Sequence, residues 1–195
     1  MRRSGFSNPT GTPMPYRFRP SQADYWSKCA AFARFSRNIV EPGDSDAARE
    51  GSCAAWVAEV VLTGDASSCL DLLGETHSNG WVVDEIMVDL VQGYVDKVRS
   101  FGGSVVAEKH VTASQNPLID GTLDSAICHV ENRILRIPDL KYGRRVVEAF
   151  GNKQLICYGW GEFVSLPEGS IDEIHLSIYQ PRAFHRDGIH RTWVL

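Results

Sequence analysis

Asp139 and Lys141 stand two residues apart in the stretch I-P-D-L-K-Y-G, residues 137–143, at the end of a run that reads as strand. Alternate residues of a strand share a face. The carboxylate and the ammonium therefore lie side by side, with Leu140 turned into the packing behind them. Alone, such a pair reads as an exposed ion pair on an edge strand and contributes little. Asp124, in G-T-L-D-S-A, adds a second possibility. The segment E-N-R separates the runs "GTLDSAICHV" and "ILRIPDLKYG". An antiparallel hairpin turning at about Glu131 and Asn132 brings Asp124 and Asp139 together across the strands. Adjacent carboxylates repel, and a divalent cation relieves the repulsion: Mg²⁺ takes oxygen ligands from carboxylates, water and substrate phosphate. Lys141 is then placed to position the attacking water or to stabilise charge on phosphate. On these residues alone, an ion pair and a metal site both stand.

The elements that must hold these groups follow from periodicity and punctuation. "PSQADYWSKCAAFARFSR" has an N-cap signal at Ser21 and apolar residues at helical spacing, Ala23, Trp26, Ala30 and Ala33. After a turn at "EPGDSD", "DAAREGSCAAWVAEVVLTG" reads as a helix closed by Gly64. "VDEIMVDLVQGYVDKVRSFG" is a third helix, with an apolar stripe of Ile86, Leu90, Tyr94, Val95 and Val98 and a stop at Gly102. The period then changes: "SVVAEKHVTAS", "GTLDSAICHV" and "ILRIPDLKYG" are β-rich runs. "NKQLICYGWGEF" returns to helical spacing, "EIHLSIYQPR" is a strand stopped by Pro181, and "IHRTWVL" is a short last strand. This order predicts an α/β or α+β core in which helices flank a small mixed sheet.

Length and composition bound the rest. A chain of 195 residues with 43% hydrophobic content is long enough for one well-buried core. Residues 1–19, rich in Gly, Pro and Ser, read as a flexible arm before a single domain over 20–195. No apolar run approaches the roughly 20 residues of a membrane span, and the start has no apolar signal core. Cys29, Cys53, Cys69, Cys128 and Cys157 include no C-x-x-C pair. They are expected to be reduced thiols in a cytoplasm, with neither zinc nor an iron–sulfur cluster. The net charge of -4 argues against coating nucleic acid by bulk charge, while leaving room for an enzyme that grips phosphate locally. Arg144 and Arg145, and a second basic group of Arg182, His185, Arg186, His190 and Arg191, read equally as a track for phosphates and as ordinary solvated surface. Trp26, Trp56 and Trp81 read first as packing residues and second as platforms for bases.

Taken together, "GTLDSA…ILRIPDLKYG…NKQLICYGWG" resembles the PD-(D/E)xK nuclease core, and within it the RecB-like branch. The motif Asp corresponds to Asp124, the (D/E)-x-K motif to Asp139 and Lys141, and the Q-x-x-x-Y motif to Gln154 and Tyr158. "PSQADYWSKC", "EGSCAAWVAE", "YVDKV", "DLKYG", "NKQL" and "IYQPR" are similar to stretches of a phage-borne branch of such domains, so the likeness runs over residues 20–182. It implies a restriction-endonuclease-like sheet and Mg²⁺- or Mn²⁺-dependent hydrolysis of DNA phosphodiesters with little sequence preference. The implied metal ligands are Asp124, Asp139 and the Leu140 backbone carbonyl, with Lys141, Gln154 and Tyr158 completing the site. It further implies a phage exonuclease in the cytoplasm of a bacterial host, working in recombination or DNA processing. A recombinase or single-strand-binding protein would be its partner, and related exonucleases form rings, which implies a homo-oligomer.

Two departures stand out. Where the pattern E-G-T-A-A-H-W supplies a metal-binding His, this chain has "EGSCAAW", with Ala55 at that position. Glu59, one turn further on the same helical face, is the tentative substitute; Glu50 and Glu108 are weaker ones. Related longer proteins carry a cysteine cluster after the QPR strand that has no counterpart in these 195 residues, so Cys29 is expected to be a packed thiol. The competing reading is a DNA- or protein-binding module that keeps the nuclease fold and does not cut.

Overall fold

Ser45 accepts a hydrogen bond from the Ala48 N–H and so starts helix α3, Asp46–Thr63, which closes at Gly64 with the left-handed φ of 91° that favours glycine. The computed structural model describes residues 16–37, 39, 43–113 and 117–195. Helix α4, Glu85–Ser100, is capped by Asp84 through the Met87 N–H. It buries Met87, Val88, Val91, Tyr94, Val95 and Val98, whereas Ile86 is exposed. The buried stripe is therefore rotated from the expected one, because Met87 and Val91 pack against α3 in place of Ile86.

The expected first helix is instead three short pieces: a 3₁₀ turn at Pro20–Gln22, helix α1 at Ala23–Trp26 and helix α2 at Phe32–Ser36. Ser21 caps nothing, and only Pro20 and Ala23 are buried across the three pieces. Helices this short need a packed face for stability, and here Tyr25 and Phe35 stay exposed, so no continuous face is buried to hold one long helix. Cys29, in the same stretch, is exposed and not packed; all five cysteines are free thiols. Residues 1–15 of the expected arm lie outside the described residues. Residues 16–19 are held against the sheet: the Phe18 N–H donates to the Leu118 carbonyl at 2.6 Å, and Arg17 pairs with Asp120 at 2.8 Å.

The sheet has five strands in the order β1 (Ser104–Thr112), β2 (Asp120–His129), β3 (Ile134–Leu140), β4 (Glu173–Tyr179) and β5 (His190–Val194). Its pairs are antiparallel apart from β3 and β4, which run parallel. A parallel pair needs a crossover, here made by helix α5, Lys153–Phe163, capped by Asn152. The architecture is thus the mixed sheet with flanking helices that the element order predicts. One apolar cluster joins α3 and α4 to the sheet, and a second joins it to α5. Helix α5 sits close because two of its residues lack side chains. A Cβ at Gly161 would stand 2.9 Å from the Thr112 carbonyl oxygen, and one at Gly159 2.8 Å from Leu176 Cδ2.

Strand β3 is the centre of the sheet and not an edge. It nevertheless carries Pro138, which has no N–H to give to a ladder. The paired register of β2 with β3 covers Ile127–Arg136, Cys128–Leu135 and His129–Ile134 and goes no further. Beyond it the strands part. The Pro138 carbonyl is taken by Tyr94 Oη at 3.1 Å and Ser125 Oγ at 3.2 Å, and these two hydroxyls lie 2.8 Å apart. Among the described residues, no helix is long and apolar enough to cross a membrane.

Candidate active site

The parting of β2 and β3 is where the acidic residues meet. Carried past the last paired residues, the register sets Asp124 opposite Asp139, as the hairpin turning near Glu131 and Asn132 requires. In place of a ladder bond, Asp124 Oδ2 accepts the Leu140 N–H at 2.8 Å. The Lys141 N–H goes the other way, to the Tyr179 carbonyl on β4. Backbone groups alternate sides along a strand, so the Leu140 N–H and carbonyl both face β2 and Asp124.

Asp139 is only 1% exposed, and its Oδ1 has no hydrogen-bond partner among the described residues. Its Oδ2 stands 2.6 Å from Lys141 Nζ. Lys141 Nζ also donates to Gln154 Oε1 at 3.2 Å, and Gln154 Nε2 donates to Tyr158 Oη at 3.2 Å. Gln154 and Tyr158 lie one turn apart on α5 and share a face, and the close seating of that helix brings them to the strand. Asp124, Asp139, Lys141, Gln154 and Tyr158 thus form one continuous constellation, as expected for these five.

The electrostatics follow from this crowding. Burial, then the Asp139 charge, raise the Asp124 carboxyl to about 8, against the opposing pull of Lys141 and the Leu140 N–H. Burial alone lowers the Lys141 ammonium, but Asp139 and Asp124 outweigh it and its pKa rises. Burial lifts the Tyr158 phenol to about 12, so it is a neutral donor at neutral pH.

Glu108 lies on β1 opposite Asp124, at the residue where the otherwise continuous β1–β2 register is interrupted. Its φ is +46°, a left-handed conformation uncommon for a non-glycine residue. Burial, then the charge of Glu59, raise its carboxyl to about 7. Glu59 is felt at Glu108, and Glu108 in turn at Asp124. Glu59 is not among the charges that shift Asp124. Glu50 is engaged elsewhere, paired with Arg182 at 2.7 Å. Among the described residues, no three His, Cys, Asp or Glu side chains form a group ready to hold a metal ion.

The second basic group is not a free phosphate track. Arg182 pairs with Glu50 and lies over the Tyr142 ring at 4.5 Å, His185 pairs with Glu148, and Arg186 lies 3.7 Å from Asp187. Arg191 is buried, and burial lowers the His190 pKa to about 4. Arg144 and Arg145 are exposed, and neither has an ion-pair partner among the described residues. Trp26, Trp56 and Trp81 are half-buried: Trp26 against Phe18, Trp56 against His77, and Trp81 beneath Arg49.

Three positions that shape the constellation escape a reading by motif. Tyr94 and Pro138 shape the opening, and Gln180 builds its rim. Gln180 is fully buried; it accepts the Val147 N–H at 3.0 Å and donates to the Gly143 and Arg145 carbonyls at 2.9 and 2.7 Å. Arg191 donates both to Gln180 Oε1 and to the Val147 carbonyl. The loop after Lys141 is thereby fixed from the far end of β4. The signal for Gln180 was a polar residue immediately before the proline that ends a buried strand.

A family model described as "Protein of unknown function (DUF2800)" matches residues 17–192. No curated protein matches the sequence.

Proposed function

The chain belongs to the DUF2800 family, and we propose that it is a RecB-like PD-(D/E)xK nuclease that hydrolyses DNA with Mg²⁺ or Mn²⁺. The observation that carries this reading is the convergence of three separated motifs on one constellation. Asp124, Asp139 with Lys141, and Gln154 with Tyr158 come from two strands and a crossover helix.

The residues fit the cation. A buried carboxylate with an orphaned oxygen, next to a second carboxyl whose pKa is raised by burial and then by the Asp139 charge, suits a hard ion that prefers oxygen. Asp124, Asp139 and the Leu140 carbonyl would hold it. When bound, such an ion polarises the phosphoryl oxygens and eases ionisation of the attacking water. The chain's own groups do the rest. Lys141 offers a compact charge to the scissile phosphate or the water. Gln154 holds that ammonium from the helix side while Asp139 holds it from the strand, and Tyr158 accepts the Gln154 amide and so orients it. Burial of Asp139 strengthens each of these interactions relative to water. The resemblance alone extends the reading to a phage exonuclease that works from DNA ends beside a recombinase or single-strand-binding protein.

The test is digestion of linear duplex, single-stranded and closed circular DNA with Mg²⁺ or Mn²⁺. Asp139→Ala and Lys141→Ala should each lower the rate by about 10²-fold or more. Equal digestion by wild type and both variants removes the enzyme reading. A binding module that does not cut is the second reading, and Ala55 favours it because an alanine cannot ligate metal. Gain of activity in Ala55→His places that position at the metal, and absence of digestion on every substrate supports the module.

A further inference from the structure

Lys141 and Gln154 form the inner end of a cleft of about 480 Å³. One wall is the turn Pro20–Tyr25, and the other is the loop 145–152. Two large aromatic side chains line it while remaining far from buried: Tyr25 is 64% and Phe150 77% exposed. Each is braced from behind. Tyr25 stacks on Phe32 with centroids 6.3 Å apart and planes 11° apart, and Phe150 packs on Trp193 at 5.2 Å. A ring fixed on one side and open on the other is a platform. Arg145 also lines the cleft; its guanidinium has no ion-pair partner among the described residues, and its backbone carbonyl is pinned by Gln180 at 2.7 Å. Each wall also carries one carboxylate, and both are already countered: Asp24 lies 3.8 Å from both Lys28 and Lys153, and Glu148 3.1 Å from His185.

We propose that this cleft is a single-strand subsite, in which unpaired DNA stacks one base on Tyr25 and another on Phe150 and sets a phosphate on Arg145. The inference rests on the nuclease reading for the identity of the strand and goes beyond it by choosing unpaired over duplex DNA. Its size argues for that choice, because a space of small-molecule dimensions admits a nucleotide or two and not a double helix. The chemistry agrees: stacking on rings tolerates any base, and the phosphate needs only an unpaired cation. Lys141 lines the cleft and stands 2.6 Å from Asp139, so a strand lying in it would pass beside the constellation.

Binding measured in EDTA separates the subsite from catalysis. A short fluorescein-labelled oligothymidylate, the same length of duplex, and an abasic oligomer serve as probes in fluorescence anisotropy. Tyr25→Leu and Phe150→Leu keep apolar bulk while removing the ring. Each should weaken the oligothymidylate by about tenfold, the effect of losing one stacked base, and should leave the abasic oligomer unchanged. Arg145→Ala should weaken both single strands. Trp160→Leu, at an exposed aromatic outside the cleft, should change neither. The proposal is overturned if duplex binds as tightly as the single strand. It is also overturned if the two ring variants, with wild-type melting curves, bind like wild type. Hydrolysis that survives Lys141→Ala would sink the nuclease reading and leave these binding results standing.

Discussion

Asp124→Asn should abolish a pH dependence of stability that the metal-free wild type carries between about pH 4 and pH 8. The folded protein holds the Asp124 proton up to about 8, because burial and Asp139 oppose its charge. The unfolded chain releases that proton near the ordinary carboxylate value of about 3.9. Between those values the native state binds the extra proton, so raising the pH favours unfolding. The slope is at most about 1.4 kcal/mol per pH unit, or roughly 3–6 °C in Tm for a domain of this size. Above pH 8 both states are ionised and the effect stops growing. Asparagine keeps an oxygen for the Leu140 N–H and cannot ionise, so the variant should gain on wild type steadily from pH 5 to pH 8. Urea or thermal melts in EDTA read this gain, and the difference between the two proteins cancels the other titrating groups. Saturating Mg²⁺ should flatten the wild-type slope, since the ion takes the place of the proton; below pH 8 the metal affinity should climb by up to about tenfold per unit. Parallel melting profiles for the two proteins would refute the raised Asp124 pKa.

Two further perturbations probe how the site is held. Gly161→Ala drives a methyl group against the Thr112 carbonyl, a backbone atom that cannot rotate away; it should destabilise by about 1–3 kcal/mol in urea unfolding and slow hydrolysis by displacing Gln154 and Tyr158. Gln180→Leu leaves the Val147 N–H and the Arg191 guanidinium short of an acceptor; a loss of about 1–3 kcal/mol, with faster hydrogen exchange at Val147, is the expected result.

Much of this arrangement was legible because the relevant signals are local. Ser45 and Gly64 bound α3, Asn152 starts α5, and the switch from a helical period to alternation marks the sheet. The meeting of Asp124 with Asp139 needed only a turn position and a strand period. What stayed hidden depends on tertiary environment. The exposed Ile86 and the buried Met87 are both apolar, and the sequence does not say which one meets α3. The left-handed Glu108 carries no turn residue to announce it, although consecutive charges in "AEKH" break the alternation of a strand. Arg182 and Arg191 look like free cations on paper; Glu50 and Gln180, distant in sequence, consume them.

Pro138 has one more consequence. The N–H at position 138 would face β2, as that of Leu140 does two residues later, so the imino acid withholds the donor that would otherwise draw the strands together. The seam between them is therefore kept apart by covalent structure and by the two hydroxyls of Tyr94 and Ser125, with no ion required as a wedge. A cation bound there, as proposed, would find its berth already cut, and its affinity would not be diminished by the work of prising a sheet apart.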